Sequence, residues 1–219
     1  MPASDVPWLG ARLREERLKR GISLRGLARD VGVSASMISQ IETAKSQPSV
    51  STLYAITSAL GISIEDVFAP PDATPAPAPV SVSAAAAEHG RPASVQAVLD
   101  SIRGRRRGPL VHPDERQVLT LDSGVTWELL GELPPHTVDF MLVTYAPGGT
   151  SSSTGGLMRH SGSEFGFILS GELVLTLGFE EVLLKPGDAI SFESTTPHGY
   201  RNDGTEPAVG VWFVIEQSH

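Results

Sequence analysis

The chain has 219 residues, a formal net charge of −8 and no cysteine. This length exceeds one small helical domain and leaves enough sequence for a second core of about 120 residues, so we expect two domains. The lack of cysteine excludes disulfides and thiolate metal sites. With no leader-like N-terminus and no apolar run of membrane-spanning length, the sequence predicts a cytoplasmic protein that does not enter a membrane.

The charge is unevenly spread along the chain. Residues 1–68 carry 8 Lys and Arg against 7 Asp and Glu, whereas residues 69–219 carry 9 against 18. The acidity therefore belongs to the second part. The first part is predicted to present a basic face to nucleic acid. The basic residues available for that face are Arg12, Arg14, Arg17, Lys19, Arg20, Arg25, Arg29 and Lys45.

Two short helices joined by a tight turn are predicted at residues 23–42. Ser23 and Ser34 are the expected N-caps, because a serine hydroxyl accepts a hydrogen bond from an unpaired backbone N–H. Gly32 ends the first helix. Apolar residues recur at helical spacing at Leu24, Leu27, Ala28 and Val31, and then at Met37, Ile38 and Ile41. The other face of the second helix is small and polar, which suits the DNA major groove.

This segment resembles the Xre family of helix-turn-helix repressors. The shared pattern consists of Leu-Ala, Gly-Val-Ser, Ile-Ser-x-Ile-Glu and a later Pro-x-x-x-x-Leu, all within residues 23–53. The resemblance implies phosphate contacts from Ser34 and Lys45 and base-edge contacts from Ala35, Ser36 and Gln40. The full predicted DNA-binding set is Ser23, Arg25, Ser34, Ala35, Ser36, Ser39, Gln40 and Lys45. An ordinary bundle of amphipathic helices is the alternative.

One position departs from the family pattern. The chain has Ala44 where the family usually has the glycine of a left-handed C-cap, and alanine in that conformation is strained by about 1 kcal/mol. Flanking helices at 9–20 (apolar at Leu9, Leu13 and Leu18), 51–60 (capped by Gly61) and 64–68 complete a predicted five-helix DNA-binding domain over residues 1–68.

Residues 69–114 are predicted to be a linker. Residues 69–94 contain 6 Pro and 9 Ala, a composition that favours an extended chain. A short helix is possible at 94–102. The basic cluster that follows, Arg103, Arg105, Arg106 and Arg107, is typical of a solvated charge run, with phosphate contact as the alternative.

From residue 115 onward the pattern changes to short strands separated by Gly and Pro. Strands are predicted at 118–121, 125–130, 138–145, 164–169, 172–177, 181–184, 189–192 and 209–215. Evenly spaced strands of this kind indicate a β-sandwich or β-barrel.

Two segments of this part resemble the cupin family of jelly-roll barrels. The first runs from Pro147-Gly148-Gly149 to His160-x3-Glu164-x6-Gly171, and the second from Pro186-Gly187-Asp188 to Pro197-His198-x3-Asn202. The resemblance implies a cupin domain over residues 115–219. The fold class is therefore α + β: a five-helix helix-turn-helix domain, a linker and a C-terminal β-barrel.

Cupins normally hold a divalent metal with a His-x-His pair, the Glu and the later His. Here Met158 replaces the first His, which leaves His160, Glu164 and His198. Positions 158, 160 and 164 would share one face of an extended strand. Two His and one carboxylate suit Fe(II) and could also hold Zn, Ni or Mn. The alternative is a pair of hydrogen-bonded histidines that no longer keep a metal.

A pocket for a small ligand is predicted beside the metal set, with residues Met158, Tyr145, Tyr200 and Asn202. Further candidate walls are Phe140, Phe167, Phe192, Trp127 and Trp212. The alternative is that these aromatic residues are ordinary barrel core. His89, His112, His136 and His219 lie outside the motifs and are expected in loops or at the surface.

The two parts together are similar to the Xre-cupin regulators of bacteria. We therefore predict a transcriptional regulator, a homodimer that binds double-stranded DNA and senses a small-molecule effector with its cupin domain. A mononuclear non-haem iron oxygenase of the fosfomycin-type epoxidase kind, which combines the same two domains, is the rival. A scaffold with two silent sites is a third possibility. We favour the regulator over an enzyme because the second helix keeps its cap and its small outward residues.

Overall fold

The computed structural model describes residues 4–5, 8–68, 110–131 and 138–215. Five helices come first: α1 (Leu9–Lys19), α2 (Leu24–Val31), α3 (Ala35–Glu42), α4 (Val50–Leu60) and α5 (Ile64–Phe68). In the part of the chain covered by these ranges, no helix has the length and apolar character needed to cross a bilayer. The predicted helix at 94–102 and the cluster Arg103, Arg105, Arg106 and Arg107 lie outside the described residues, as do His89, His136 and His219.

The predicted caps of the two central helices are formed. The Ser23 hydroxyl accepts from the Gly26 N–H at 3.0 Å, and the Ser34 hydroxyl accepts from the Met37 N–H at 3.1 Å. The prediction for α4 was one residue late, because Ser49 is its N-cap and Val50 its first residue. Starting the helix there buries Val50 in the core.

Leu18 and Met37 were expected on apolar helix faces, and both are exposed instead, by 57% and 38% of their surface. Leu18 follows the buried Leu13 by five residues, which puts it about 140° around α1 from that contact. Met37 lies about 100° around α3 from the buried Ile38. Each helix therefore has a narrower buried stripe than the sequence pattern indicated.

Within the described ranges, ten strands form two sheets. They are β1 (Ser4–Asp5), β2 (Gln117–Leu121), β3 (Val125–Gly131), β4 (Val138–Tyr145), β5 (Ser163–Ser170), β6 (Leu173–Leu177), β7 (Glu180–Leu184), β8 (Ala189–Glu193), β9 (His198–Arg201) and β10 (Ala208–Ile215). The larger sheet has the order β1-β2-β3-β4-β10-β5-β8, and the smaller one has the order β7-β6-β9. All eight predicted strands are present within a residue or two of the expected bounds. The strand β9 was missed because four residues after a Thr-Thr-Pro turn show no apolar alternation.

The predicted barrel is present as these two separate sheets, with apolar side chains buried between them. Trp127, Met141, Leu175 and Trp212 are among the buried residues. The motif glycine Gly171 has a φ of 72°, and a Cβ there would lie 2.3 Å from the Pro207 carbonyl oxygen. Only glycine fits this turn, which explains its place in the cupin pattern.

The helical part rests directly on the β part. The strand β1 runs parallel to β2, pairing Ser4 with Gln117. At the start of α4, the Ser51 N–H donates to the Ser151 carbonyl at 2.9 Å, and the Asp122 N–H donates to the Pro48 carbonyl at 2.9 Å. The N-terminal end of α4 is therefore held against two loops of the β part.

Candidate functional site

The outer face of α3 carries the predicted DNA-reading residues. Ser36 and Gln40 are exposed on the helix, and Ser34 and Lys45 are exposed at its two ends. Ser23 and Arg25, at the start of α2, are exposed as well. The caps orient the first turns of both helices, so this surface is open to a groove.

Two residues of the predicted set are less accessible than the sequence suggested. Ala35 is half-buried, and its methyl group packs against the hydrophobic core. Ser39 is half-buried, and its carbonyl accepts a hydrogen bond from the Thr43 hydroxyl at 2.7 Å. Ala35 lies three residues before the buried Ile38 and therefore on the same face of α3, which turns it toward the core.

The predicted basic face is smaller than its eight residues implied, because Arg17 is buried. Its Nε and Nη2 donate to the two carboxylate oxygens of Glu42 at 2.6 and 2.9 Å, and Nη1 donates to the Ile22 carbonyl at 2.8 Å. A guanidinium matches a carboxylate in this paired geometry. Arg17 therefore holds the end of α3 against α1 and does not face DNA.

Three further basic residues in or directly after α1 form ion pairs with the carboxylate of Glu16. Arg12 and Lys19 lie 3.3 and 3.1 Å from Glu16, and Arg20 also pairs with it. Burial alone would raise the pKa of Glu16, but the hydrogen bonds from Arg20 and Lys19 and the nearby charges lower it overall. Arg14, Arg25, Arg29 and Lys45 are exposed and lie outside this cluster. The positive charge offered to DNA is therefore concentrated near α2 and the end of α3.

Ala44 adopts the left-handed conformation that its position predicted. Its φ is 54°, and the turn is closed by the Lys45 N–H, which donates to the Gln40 carbonyl at 2.8 Å. The helix therefore ends as in the family pattern, with strain that glycine would not have.

A second site lies between the two sheets, where His160, Glu164 and His198 converge. The Nε2 atoms of His160 and His198 lie 2.7 and 2.9 Å from the same oxygen, Oε1 of Glu164. All three side chains are buried, and their ligand atoms lie within 4.8 Å of one another. This is the arrangement of two imidazoles and one carboxylate that the cupin resemblance implied.

The convergence does not come from one extended strand, as the sequence reasoning assumed. The strand β5 begins at Ser163, and Gly162 has a φ of 97°, so the chain turns between His160 and Glu164. Met158 instead pairs with His198 through two backbone hydrogen bonds of 2.8 and 3.0 Å. The bend, and not residue parity, brings these side chains together.

The hydrogen bonds of the two rings decide which atoms face the centre. Nδ1 of His160 lies 3.2 Å from the Ser161 carbonyl, and Nδ1 of His198 lies 2.8 Å from the Thr196 carbonyl. A carbonyl only accepts, so both Nδ1 atoms carry a hydrogen; each Nε2 then points at the carboxylate, donating to it when the ring is protonated and presenting a lone pair when the ring is neutral. The buried Nε2 of His198 lies 2.9 Å from Oε1 but, within the described residues, forms no hydrogen bond of good geometry. With neutral rings, three electron-rich atoms face one another, and such a set fits a divalent metal.

Tyr200 fixes the carboxylate from the other side. Its hydroxyl donates to Oε2 of Glu164 at 2.9 Å, and the indole N–H of Trp212 reaches the Tyr200 hydroxyl at 3.4 Å. Burial and the charge of Glu164 raise the pKa of Tyr200, which keeps the hydroxyl protonated. Burial would raise the pKa of Glu164, but the two histidines outweigh it and lower the pKa to about 2. The carboxylate is therefore ionised, oriented and free to offer Oε1.

The cavity beside this centre is only about 20 Å³, room for about one water molecule. Its walls are Val50, Tyr54, Trp127, Met141, Val143, Tyr145, Met158, Glu164, Tyr200, Trp212 and Val214. Tyr145, Met158 and Tyr200 thus lie where the sequence predicted. A pocket for a drug-sized molecule is usually 300 Å³ or more, so the described arrangement is closed to such a ligand.

Asn202 was wrongly assigned to the pocket. Its amide N–H groups donate to the Tyr145 and Glu206 carbonyls at 2.9 and 2.8 Å, and its Oδ1 accepts from the Gly204 N–H. The residue therefore stabilises the turn after β9. Phe140 and Phe167 were also wrong as walls, because both lie on the outer face of the larger sheet, where Phe140 stacks on Phe213.

Two walls of the cavity come from the helical part, and the sequence reasoning missed both. The ring of Tyr54 in α4 lies parallel to the His160 imidazole, with 4.2 Å between ring centroids and 5° between planes. It also meets Trp127 edge-on at 5.7 Å. Val50 lies one helical turn before it. In the sequence both residues follow the apolar period of α4, so nothing distinguishes them from ordinary core.

The comparisons with known proteins match both parts of the chain. The family Helix-turn-helix matches residues 13–67, and the family Cupin domain matches residues 141–214. The HTH-type transcriptional regulator PuuR of Escherichia coli K12 is 28% identical over 195 residues, which cover 88% of this chain and 86% of PuuR. The HTH-type transcriptional regulator SutR of the same organism is 24% identical, covering 91% of this chain and 89% of SutR.

A solved structure shares the fold over nearly the whole chain. It is the HTH_3 family transcriptional regulator from Vibrio cholerae, with a TM-score of 0.60, 22% identity and 97% of each chain covered. Both domain matches, the helix-turn-helix geometry and the full-length relatives agree. The chain is therefore a homologue of the HTH-type transcriptional regulators, with an Xre-type helix-turn-helix domain and a C-terminal cupin domain.

Proposed function

We propose that this protein is a sequence-specific DNA-binding transcriptional regulator whose cupin domain senses a small molecule. The observation that carries the proposal is the exposed, doubly capped α3, which keeps Ser36, Gln40 and Lys45 accessible while both parts are packed together. Relatives with both domains are named transcriptional regulators, which supports the same conclusion. The domain limits of 1–68, 69–114 and 115–219 are part of this proposal.

On DNA, α3 would lie in the major groove. Ser34 and Lys45 would contact phosphates, with Ser23 and Arg25 beside them, because hydroxyls and cations at helix ends are suited to the backbone. Gln40 and Ser36 would meet base edges. The half-buried Ala35 and Ser39 would contribute less than the sequence alone suggested.

The protein would act as a homodimer, because two recognition helices one DNA turn apart, about 34 Å, fit a two-fold operator. The outer face of the larger sheet supports self-association. Phe165, Phe167 and Phe213 are 41–45% exposed there and line a shallow groove of about 310 Å³. Such a contiguous apolar surface is typical of an interaction site.

His160, Glu164 and His198 would hold one divalent metal, of which Fe, Zn, Ni and Mn are the candidates. Such a metal supplies an open coordination position to which a ligand donor atom can bind. The walls beside it are mainly apolar and aromatic. The effector we propose is therefore small and largely apolar, with a single metal-coordinating group.

We propose a cytoplasmic regulator and not an enzyme. The cavity walls offer Glu164, Tyr145 and Tyr200 as ionisable groups, and burial with the charge of Glu164 raises the pKa of both tyrosines. With His160 and His198 engaged as metal ligands, the described walls would leave no further group to transfer a proton near neutral pH. Anaerobic loading with Fe(II), followed by oxygen and a panel of small acids and phosphonates, should give no product. Turnover of any of them would support the oxygenase.

The DNA-binding proposal is tested by selection from random duplex DNA with the full-length protein. We expect enrichment of an inverted repeat whose half-sites lie one helical turn apart. A pool that stays random after several rounds, although the protein retains bulk DNA, would contradict it. The variant Gln40→Ala provides the matched control, because it should retain DNA with a weaker preference.

A further inference from the structure

The cupin centre is closed by a side chain of the DNA-reading domain. Tyr54 covers the His160 ring face to face and contacts Trp127, so its aromatic ring forms a wall of the cavity on the side of the helical part. The volume of this cavity, about 20 Å³, is far below that of a small-molecule pocket. A ligand larger than water therefore requires a wall to move, and among the walls Tyr54 and Val50 belong to the helical part.

Tyr54 cannot leave this space as an isolated side chain without losing its core packing. It is buried, as are Leu53 and Ile56 on the same helix. The helix begins against the cupin loops through the hydrogen bond from the Ser51 N–H to the Ser151 carbonyl. Packed interiors shift as units, so withdrawal of Tyr54 is coupled to undocking of α4 from the cupin loops.

A second path joins the same helix to the metal set. Ser151, which accepts from the Ser51 N–H, also pairs with the strand β9: its N–H donates to the Tyr200 carbonyl and its hydroxyl accepts from the Tyr200 N–H, both at 2.9 Å. Tyr200 in turn holds Glu164. The start of α4 thus contacts the residues of the centre from two directions, through Tyr54 and through Ser151.

We infer that the Tyr54 ring blocks ligand access to the cupin centre. A donor ligand then enters only when the helix-turn-helix domain undocks from the barrel. This inference rests on the proposed function, because it names the domain movement by which occupancy of the centre reaches the DNA. The exposed face of α3 is free in the docked arrangement. Entry of a ligand therefore changes the position of the helix-turn-helix domain relative to the barrel. It does not cover or uncover the DNA-reading face of α3.

The test uses the full chain with Co²⁺ as the metal and azide as the donor ligand, followed by visible absorption. Because the chain has no cysteine, Ser51→Cys and Ser151→Cys introduce the only two thiols. Their backbone hydrogen bond keeps the two Cα atoms within about 7 Å, near the upper limit for a disulfide, and mass spectrometry of the oxidised protein shows whether it forms. Oxidation locks α4 onto the barrel, and the reduced form of the same protein is the control.

We expect the reduced protein to take up azide at least about 10-fold more tightly than the oxidised one, and Tyr54→Ala to do so at least about 10-fold more tightly than the natural sequence. Tyr54→Phe keeps the ring and should bind azide less tightly than Tyr54→Ala. Tyr54→Ala decides the question by itself if the disulfide does not form. Azide affinities within twofold across all forms, or no Co²⁺ uptake by any of them, would overturn the inference.

The outcome is independent of the DNA selection. The expected azide affinities without an enriched operator would refute the proposed function and leave the inference about Tyr54 standing. An enriched operator with equal azide affinities would refute the inference about Tyr54 and leave the proposed function standing.

Discussion

Arg17 and Glu42 form a buried, two-bonded ion pair that joins α1 to the end of the recognition helix α3, with Nε–Oε1 and Nη2–Oε2 distances of 2.6 and 2.9 Å. Both side chains are almost fully buried. The pair therefore positions α3 within the helical domain, and either charge left alone there would lack a partner of opposite sign.

Removing one partner should be costly. We expect Arg17→Met to lower the free energy of unfolding by about 3–5 kcal/mol, because Glu42 would be left buried and unpaired. The double variant Arg17→Met/Glu42→Met should recover much of that loss. Urea unfolding followed by circular dichroism measures both, with the more exposed Glu15→Gln as control. A single variant within 1 kcal/mol of the natural protein would refute this role.

The DNA contacts should separate into two kinds. Gln40→Ala should weaken binding to the selected operator by about 1–3 kcal/mol and change binding to random DNA little, because it removes a base contact. Lys45→Ala should weaken both DNAs equally and reduce the salt slope by about one. Fluorescence anisotropy at several salt concentrations measures this. Equal losses of affinity on both DNAs for both variants would contradict the assignment of Gln40 to a base and Lys45 to a phosphate.

The turn after α3 offers a matched pair of backbone tests. Ala44→Gly should raise the free energy of unfolding by up to about 1 kcal/mol, because glycine tolerates the φ of 54°. Gly32→Ala should lower it by about 1 kcal/mol, since Gly32 has a φ of 79° and a Cβ there meets nothing within 4 Å. Thermal unfolding resolves both. If both variants change the free energy of unfolding in the same direction, backbone strain does not determine stability at these two positions.

The metal set should depend on its carboxylate. Glu164→Gln should weaken Zn²⁺ binding at least about 10-fold, because the neutral amide is a poorer ligand, while operator binding by the metal-free protein is preserved. Isothermal titration calorimetry measures the affinity, with the exposed Glu193→Gln as control. Unchanged Zn²⁺ binding in Glu164→Gln would remove these residues from any metal site.

The same carboxylate predicts an acid dependence in the metal-free protein. Folding lowers the pKa of Glu164 from its ordinary 4.5 to about 2, so its stabilising contribution is complete above about pH 4.5 and is lost as the pH falls toward 2. The stability difference between the natural protein and Glu164→Gln should therefore shrink across that window. Urea unfolding at a series of pH values tests this, and a difference that grows on acidification would contradict it.

Local patterns were enough to predict much of this molecule. Ser23 and Ser34 each accept a hydrogen bond from an N–H three residues away, so both caps could be predicted from the sequence. The spacing of His160 and Glu164 and the position of Gly171 lie within one motif, so they could be predicted as well. In each case the partner that matters lies nearby in the chain or within a known motif.

Features that depend on distant packing were not predictable in the same way. Arg17 was assigned to a basic surface because its partner Glu42 lies 25 residues away on another helix. Tyr54 follows an ordinary apolar period, and only the docking of α4 on the barrel places it on His160. Asn202 matches the motif, yet its three hydrogen bonds are used by the turn after β9 and by the Tyr145 carbonyl at the end of β4.

The affinity of the full-length protein for its selected operator, compared with a scrambled duplex of equal length at physiological salt, tests the central claim most directly. A sequence-specific regulator should bind the operator at least about 10³-fold more tightly. Equal affinity for the two duplexes would contradict the claim that α3 reads base sequence.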